Sequence, residues 1–268
     1  MKKRLTDILI VILLIVLAVS GYNLWKGLSE YKKGEEEYSA TAESYMQSAP
    51  QGQEDEAEKY GLVCPISVDF DGLKKENEDI VGWIYCEGTP INYPVVRGAT
   101  NDTYLHTTVS GQSNSAGSIF MDYRCAPNLS GFNTIIYGHH MKNGSMFASL
   151  HDYGSQEFYD EHPLMWYLTP ERVYRLDLLA GYVGEADAEV YEIFADWPQL
   201  TRYLEFASSR STFKPEGYIS TVPLAEISGV IVLSTCSYEY SDARYVVVGV
   251  PILAEPARTS DASAAVAD

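Results

Sequence analysis

The sequence predicts a mainly β domain, closed as an antiparallel or mixed barrel. Three observations carry that reading. First, eight short apolar or β-branched runs follow one another, at 81–86, 91–96, 117–122, 134–139, 164–168, 173–183, 229–236 and 244–253. Second, turn residues such as Gly88, Pro90, Gly131 and Gly184 separate them, and little helical periodicity lies between. Third, the chain carries 21 tyrosines, a residue suited to pleated, half-buried surfaces. At 268 residues, nearly half of them apolar, there is material for one domain with a sizeable core plus extensions.

Residues 1–25 are set apart. Lys2, Lys3 and Arg4 precede an unbroken apolar run from Ile8 to Val19, and Tyr22 and Trp25 suit the membrane edge. The basic flank is N-terminal. The positive-inside rule therefore puts the N-terminus in the cytoplasm and the rest outside, giving a single-pass protein of the cell membrane held through residues 8–25. A cleavable signal peptide is the alternative, because Ala18-Val19-Ser20 before Gly21 offers small residues for cleavage. Residues 26–67 read as an extracellular stalk, helical in parts over 28–45 and loose around 48–53; disorder without a role is the competing reading. A short helix over 71–77 leads into the main domain, 68–253. Further short helices are expected over 145–153 and 157–162. Residues 198–208, with Leu200, Tyr203, Leu204 and Phe206 among the apolar positions, form an amphipathic helix between the sixth and seventh runs. The tail, 254–268, is rich in Ala, Ser and Asp and reads as disordered.

Two strand ends carry chemistry. The run Val230-Ile231-Val232-Leu233 ends in Ser234-Thr235-Cys236; a polar loop follows, and Arg244 opens the next run. One thiol and one guanidinium thus stand on the same rim of a sheet. A fixed cation favours thiolate, the nucleophilic form. The alternative is a buried core cysteine and a surface arginine. The run 133–141 ends in Gly138-His139, which places an imidazole to serve a thiol on a neighbouring strand end as acid and base. Cys236, His139 and Arg244 then make a nucleophile, a proton carrier and a donor to the oxyanion or substrate backbone.

Leu233-Ser234-Thr235-Cys236 followed by Arg244 resembles the TLxTC…R signature of sortases. The segment from Tyr137 to Phe147 resembles the histidine segment of class B sortases. So do Val81-Gly82-Trp83-Ile84, the run Ile91 to Val96, the run Asn101 to His106 and the run Gly117 to Arg124. These matches are collinear over residues 68–253. The resemblance implies an eight-stranded sortase-like β-barrel with an N-terminal helix and a helix in the long connection between strands 6 and 7. It implies a membrane-anchored cysteine transpeptidase without cofactor or metal. Its donor substrates are secreted proteins bearing a C-terminal sorting motif. Its acceptor is a cell-wall peptidoglycan amine or a pilin subunit. The resemblance also marks Ser234, Thr235, Asn101 and Leu105 as substrate-binding. Core packing is the other reading for Leu105, and a helix N-cap for Asn101.

Other classes are disfavoured. With 19 basic against 37 acidic residues, nucleic-acid binding is not expected. No CxxC exists to suggest zinc or thioredoxin-like chemistry. A free Cys236 leaves Cys64, Cys86 and Cys125, which permit one disulfide at most and are most simply unpaired. His106, His151 and His162 read as surface or capping residues, and His140 as pointing away from His139. A hydrolytic cysteine protease shares the nucleophile and histidine, so the sequence leaves the acceptor open. A surface binding domain with a structural Cys236 also remains.

Overall fold

The computed structural model describes residues 2–48, 61–185, 191–236 and 243–256. Its first element is one long helix, α1, Lys2–Tyr45. From Leu9 to Lys26 α1 is exposed, the apolar run included. The helix from Leu9 onward is long and apolar enough to cross a membrane, its most apolar 18-residue stretch having mean hydropathy 2.0. Residues 28–45, read from sequence as part of a stalk, are the second half of the same helix and lie against the barrel. Tyr38 is only 4% exposed there, and its ring meets Tyr93 edge-on at 5.4 Å. Gly34 sits against Asn114 and Ala116, where a side chain would crowd the seam. A two-stranded antiparallel sheet follows, β1 (Met46–Ser48) with β2 (Ile66–Val68). Ser48 is therefore paired, and the rest of the segment expected to be loose, 49–53, lies outside the described residues.

The short helix α2, Phe70–Glu76, is capped by Asp69, whose carboxylate accepts from Gly72 N at 2.9 Å. Eight strands then close a barrel: β3 (Ile80–Tyr85), β4 (Asn92–Val96), β5 (Ile119–Met121), β6 (Asn133–Gly138), β7 (Leu164–Leu168), β8 (Val173–Glu185), β9 (Val230–Cys236) and β10 (Ala243–Ala254). Their order around the barrel is β10-β8-β7-β3-β4-β5-β6-β9, with β9 returning to β10. Two pairings are parallel, β4 with β5 and β6 with β9; the others are antiparallel. Of the antiparallel or mixed barrel read from the eight runs, the mixed form is observed, and each run lies within a few residues of its strand. The strands are apolar and buried on both faces, inside the barrel and under the segments that cover it. Trp83, Ile84, Val95, Ile135, Tyr167, Leu176 and Val247 have no measurable exposure.

A 3-10 segment, Ala148–Gly154, and helix α3, Gln156–Glu161, follow β6. The helix between the sixth and seventh barrel strands is α4, Trp197–Arg210. Asp196 caps it by accepting from Gln199 N at 2.9 Å, and Pro198 stands in its first turn, where the missing N–H costs nothing. Leu200, Tyr203, Leu204 and Ala207 recur at helical spacing and face β8. At the far end β10 runs through Ala254, and Glu255 still bonds Leu62 and Cys64. Residues 257–268 of the tail lie outside the described residues.

Candidate active site

Strand register brings the three chemistry-bearing positions together. Because β6 and β9 are parallel and in register, Gly138 sits opposite Thr235. The next residue on each strand, His139 and Cys236, therefore leaves the sheet at the same rim. On the other side of β9, antiparallel β10 sets Arg244 directly opposite Cys236. Gly138 makes this junction feasible: a Cβ there would overlap the Phe147 ring and the Ile119 side chain. Phe147 N then donates to the His139 carbonyl at 3.0 Å, which fixes the backbone just where the strand ends.

His139 is half-buried. Its Nε2 lies 2.7 Å from the carbonyl oxygen of Leu105. A carbonyl only accepts, so Nε2 carries the proton and Nδ1 is the nitrogen left to exchange one with a substrate. The exposed His106 stacks on this imidazole, ring centroids 5.5 Å apart and planes 12° from parallel. It is a surface residue, as expected, and stands beside His139 as well. His140 turns to His151 instead, at 5.9 Å between centroids.

A cavity of about 370 Å³ opens at this rim, bounded by His139, Arg244, Thr235, Ser234, Leu105 and Asn101. Arg244 is half-buried and donates from Nη1 to the Ala243 carbonyl at 3.0 Å, one of its five N–H donors. Ser234 is buried, and its hydroxyl lies 2.8 Å from that of Tyr191. Thr235 is also buried, and its Oγ1 has no partner among the described residues. Leu105 is half-buried on the cavity wall. Asn101 stands in a turn and caps no helix: its amide donates to Asp122 Oδ2 at 2.9 Å and its Oδ1 accepts from Tyr123 N at 3.1 Å.

Asp122 was quoted from the sequence only as part of a motif, yet it organises this wall. It is fully buried. It receives Arg124 Nε and Nη2 at 2.9 and 2.7 Å, and Tyr137 OH at 3.1 Å. Burial pushes the Asp122 carboxyl up, but the Arg124 side chain and backbone N–H and the Asn101 amide outweigh it and hold it down at about 2. The same burial, with the Asp122 charge alongside, pushes the Tyr137 phenol well up. The available signal was an aspartate closing an apolar strand, a charge that only partners at that depth can tolerate. Tyr191 gave no such signal, since a tyrosine in a connection is unremarkable in this chain.

The other three cysteines are free and buried. Burial pushes the Cys64 thiol up to about 12 and the Cys125 thiol up to about 11, and raises that of Cys86. Such thiols are poor nucleophiles.

Known proteins share this fold and sequence. The model of the sortase domain matches residues 84–252. Sortase B of Staphylococcus aureus (strain NCTC 8325 / PS 47) is 30% identical over 249 residues, 92% of this chain and 96% of that protein. A crystal structure of sortase B from Bacillus anthracis superposes with a TM-score of 0.68 at 30% identity, covering 84% of this chain and 99% of the other. A Staphylococcus aureus sortase B–substrate complex superposes with a TM-score of 0.62 at 33% identity, covering 69% and 84%.

Proposed function

Because the chain belongs to the sortase family and is a class B cysteine transpeptidase, we propose that Cys236 is its nucleophile, His139 its proton carrier and Arg244 its oxyanion or backbone donor. The observation that carries this reading is the pairing of β6 and β10 on either side of β9, which sets His139 and Arg244 beside Cys236.

The reaction runs in two halves. The Cys236 thiolate attacks the scissile carbonyl of a sorting motif, and Arg244 faces the charge that develops on its oxygen. The C–N bond breaks as His139, protonated on Nδ1 and held through Nε2 by the Leu105 carbonyl, gives its Nδ1 proton to the leaving amine. The thioester keeps its reactivity towards amines. An acceptor amine attacks it, neutral His139 takes the amine's proton on Nδ1, and the thiolate departs. One amide is exchanged for another without ATP. Ordinary thiols titrate near 8.5 and imidazoles near 6.5, so thiolate and imidazolium coexist in a small fraction of enzyme unless their interaction favours the pair.

Asn101, Leu105, Ser234 and Thr235 line the groove that receives the motif. Solved relatives include a Staphylococcus aureus sortase B in complex with substrate and a sortase B in complex with triglycine. By analogy a sorting motif is the donor here and a peptidoglycan amine the acceptor. Residues 1–25 anchor the chain in the cell membrane with the N-terminus cytoplasmic. Residues 26–67 connect the anchor to an extracellular catalytic domain over 68–253, and residues 254–268 form the tail.

The test is intact mass after incubating the chain, in detergent micelles, with peptides of the form X-Pro-x-Thr-x, with and without a glycine oligomer. The expected result is an acyl adduct that Cys236→Ala lacks and that the amine converts to an amide. Cleavage without adduct and indifferent to the amine would assign a protease instead. Amide formation only with a pilin lysine would move the acceptor from wall to pilus.

A further inference from the structure

The Leu105 carbonyl that receives the His139 proton is not part of a strand. It stands in a turn, tied back only by its own N–H to Asp102 O at 3.3 Å. Its support comes from a second segment packed directly behind it. Gly117 has φ +54° and touches the Leu105 and Tyr104 carbonyls so closely that a Cβ would overlap the Leu105 oxygen. Ser118 N donates to Tyr104 O at 3.0 Å, and Ser118 Oγ donates to Thr107 O at 2.8 Å. The segments at 104–107 and 117–118 are therefore one unit, with the Leu105 oxygen facing His139.

That unit is held from outside the barrel by α1. The Tyr38 hydroxyl donates to the Gly117 carbonyl at 2.5 Å and lies 3.2 Å from Ser118 Oγ. Burial pushes its phenol well up, so it remains a donor across the physiological range. Two more bonds fasten the same loop to the same helix: Asn114 Nδ2 donates to Glu30 O at 3.0 Å, and Ser110 N donates to Glu37 Oε1 at 3.1 Å.

We propose that α1 is a working part of the active site: through Gly117 and the Leu105 carbonyl, Tyr38 positions His139 and holds its imidazole in the Nε2–H form. Tyr38 is a positioning residue, since it acts through two backbone segments and touches no substrate. The helix that runs on into the apolar segment thereby reaches the proton carrier through its hydrogen bond to Gly117 and the close backbone contact of Gly117 with Leu105. The catalytic half of this inference rests on the assignment of His139 as proton carrier.

The experiment uses the full chain in micelles with ring-15N histidine, the His139 signals being assigned by their loss in His139→Gln. Tyr38→Phe removes only the hydroxyl, and Gly117→Ala pushes on the Leu105 carbonyl. Wild type is expected to show the Nε2–H tautomer, and both variants a mixture with Nδ1–H. In Tyr38→Phe, kcat falls roughly tenfold with KM for the sorting peptide little changed, the pattern of a misplaced catalytic group. If Tyr38→Phe keeps both tautomer and kcat, or loses thermal stability alone, the inference fails. Should Gly117→Ala not fold, Tyr38→Phe decides by itself. His139→Gln with activity intact would overturn the proton-carrier reading, and is distinguishable because the tautomer reports α1's hold on the ring either way.

Discussion

The rim where β6, β9 and β10 end and the seam where α1 meets the barrel are built by opposite means. At the rim, neighbouring strands deliver Gly138-His139, Thr235-Cys236 and Arg244 by register alone, so residues close in space are announced by short motifs. At the seam, Tyr38 meets Gly117 across 79 residues of sequence, and the groups that matter are a hydroxyl, a backbone carbonyl and a glycine with no side chain. The difference teaches where a sequence speaks. Side-chain chemistry at strand ends is visible as residue identity, whereas backbone positioning at a seam is visible only once the chain has folded.

The sharpest way to break this comparison is at the rim. Cys236→Ala and His139→Ala are expected to lower kcat/KM for transpeptidation by at least about 10³-fold, as losing a nucleophile or its proton carrier does. Both should leave the urea midpoint near wild type. If either lost its stability instead, the rim would be a structural feature and the binding-domain reading would return. The seam should behave in the opposite sense. Tyr38→Ala removes a buried ring from its contact with Tyr93 and is expected to cost about 3–5 kcal/mol of unfolding free energy, read by urea titration. A loss under about 1 kcal/mol would mean that α1 leans on the barrel without being part of it.

That contrast also explains how much was legible. The eight strands were, because short apolar runs and turn residues mark each one, and so was α4, because Leu200, Tyr203 and Leu204 repeat at helical spacing; Phe206, counted with them from sequence, is 40% exposed, and Ala207 completes the buried face instead. His139, Cys236 and Arg244 were singled out because they end or open apolar runs. Continuity of α1 was not legible: the change from apolar to charged composition after Trp25 separates anchor from stalk in the sequence, but the helix runs through it and packs against the barrel from Gly34 onward. Nor was the pairing of His106 with His139, which needs the loop from Asn101 to Gly117 folded against the rim.

Asp122 sits between the two cases: its identity is visible in the sequence, its partners are not. Its carboxyl is held at about 2 in the fold, against an ordinary value near 3.9. A depressed carboxyl contributes stability that is fully present above the unfolded value and lost as pH falls towards the folded one. The difference corresponds to about 2–3 kcal/mol, appropriate to a side chain with no exposure. Wild type should therefore lose stability between about pH 4 and 2 more steeply than Asp122→Asn, in urea titrations at matched pH. Parallel slopes would show that Asp122 is not the group whose ionisation the groove wall depends on.

The smallest effect tests whether the groove wall belongs with the rim or with the seam. Ser234 is buried two residues before Cys236, and its hydroxyl meets that of Tyr191 at 2.8 Å, so it is placed either to read a substrate or to brace the wall. Ser234→Ala removes one hydrogen bond and leaves the strand intact, a change worth about 1 kcal/mol. If the hydroxyl reads the sorting motif, that energy is lost from binding, and KM is expected to rise about fivefold with kcat little altered. If it only braces Tyr191, the same energy is lost from folding, the urea midpoint falls and KM stays put. The rise in KM is the expected outcome, because Ser234 lines the same cavity as His139 and Arg244. A residue that borders His139 and Arg244 and rides on the strand of Cys236 is positioned by register, as the rim is, and its loss should be felt in the same reaction.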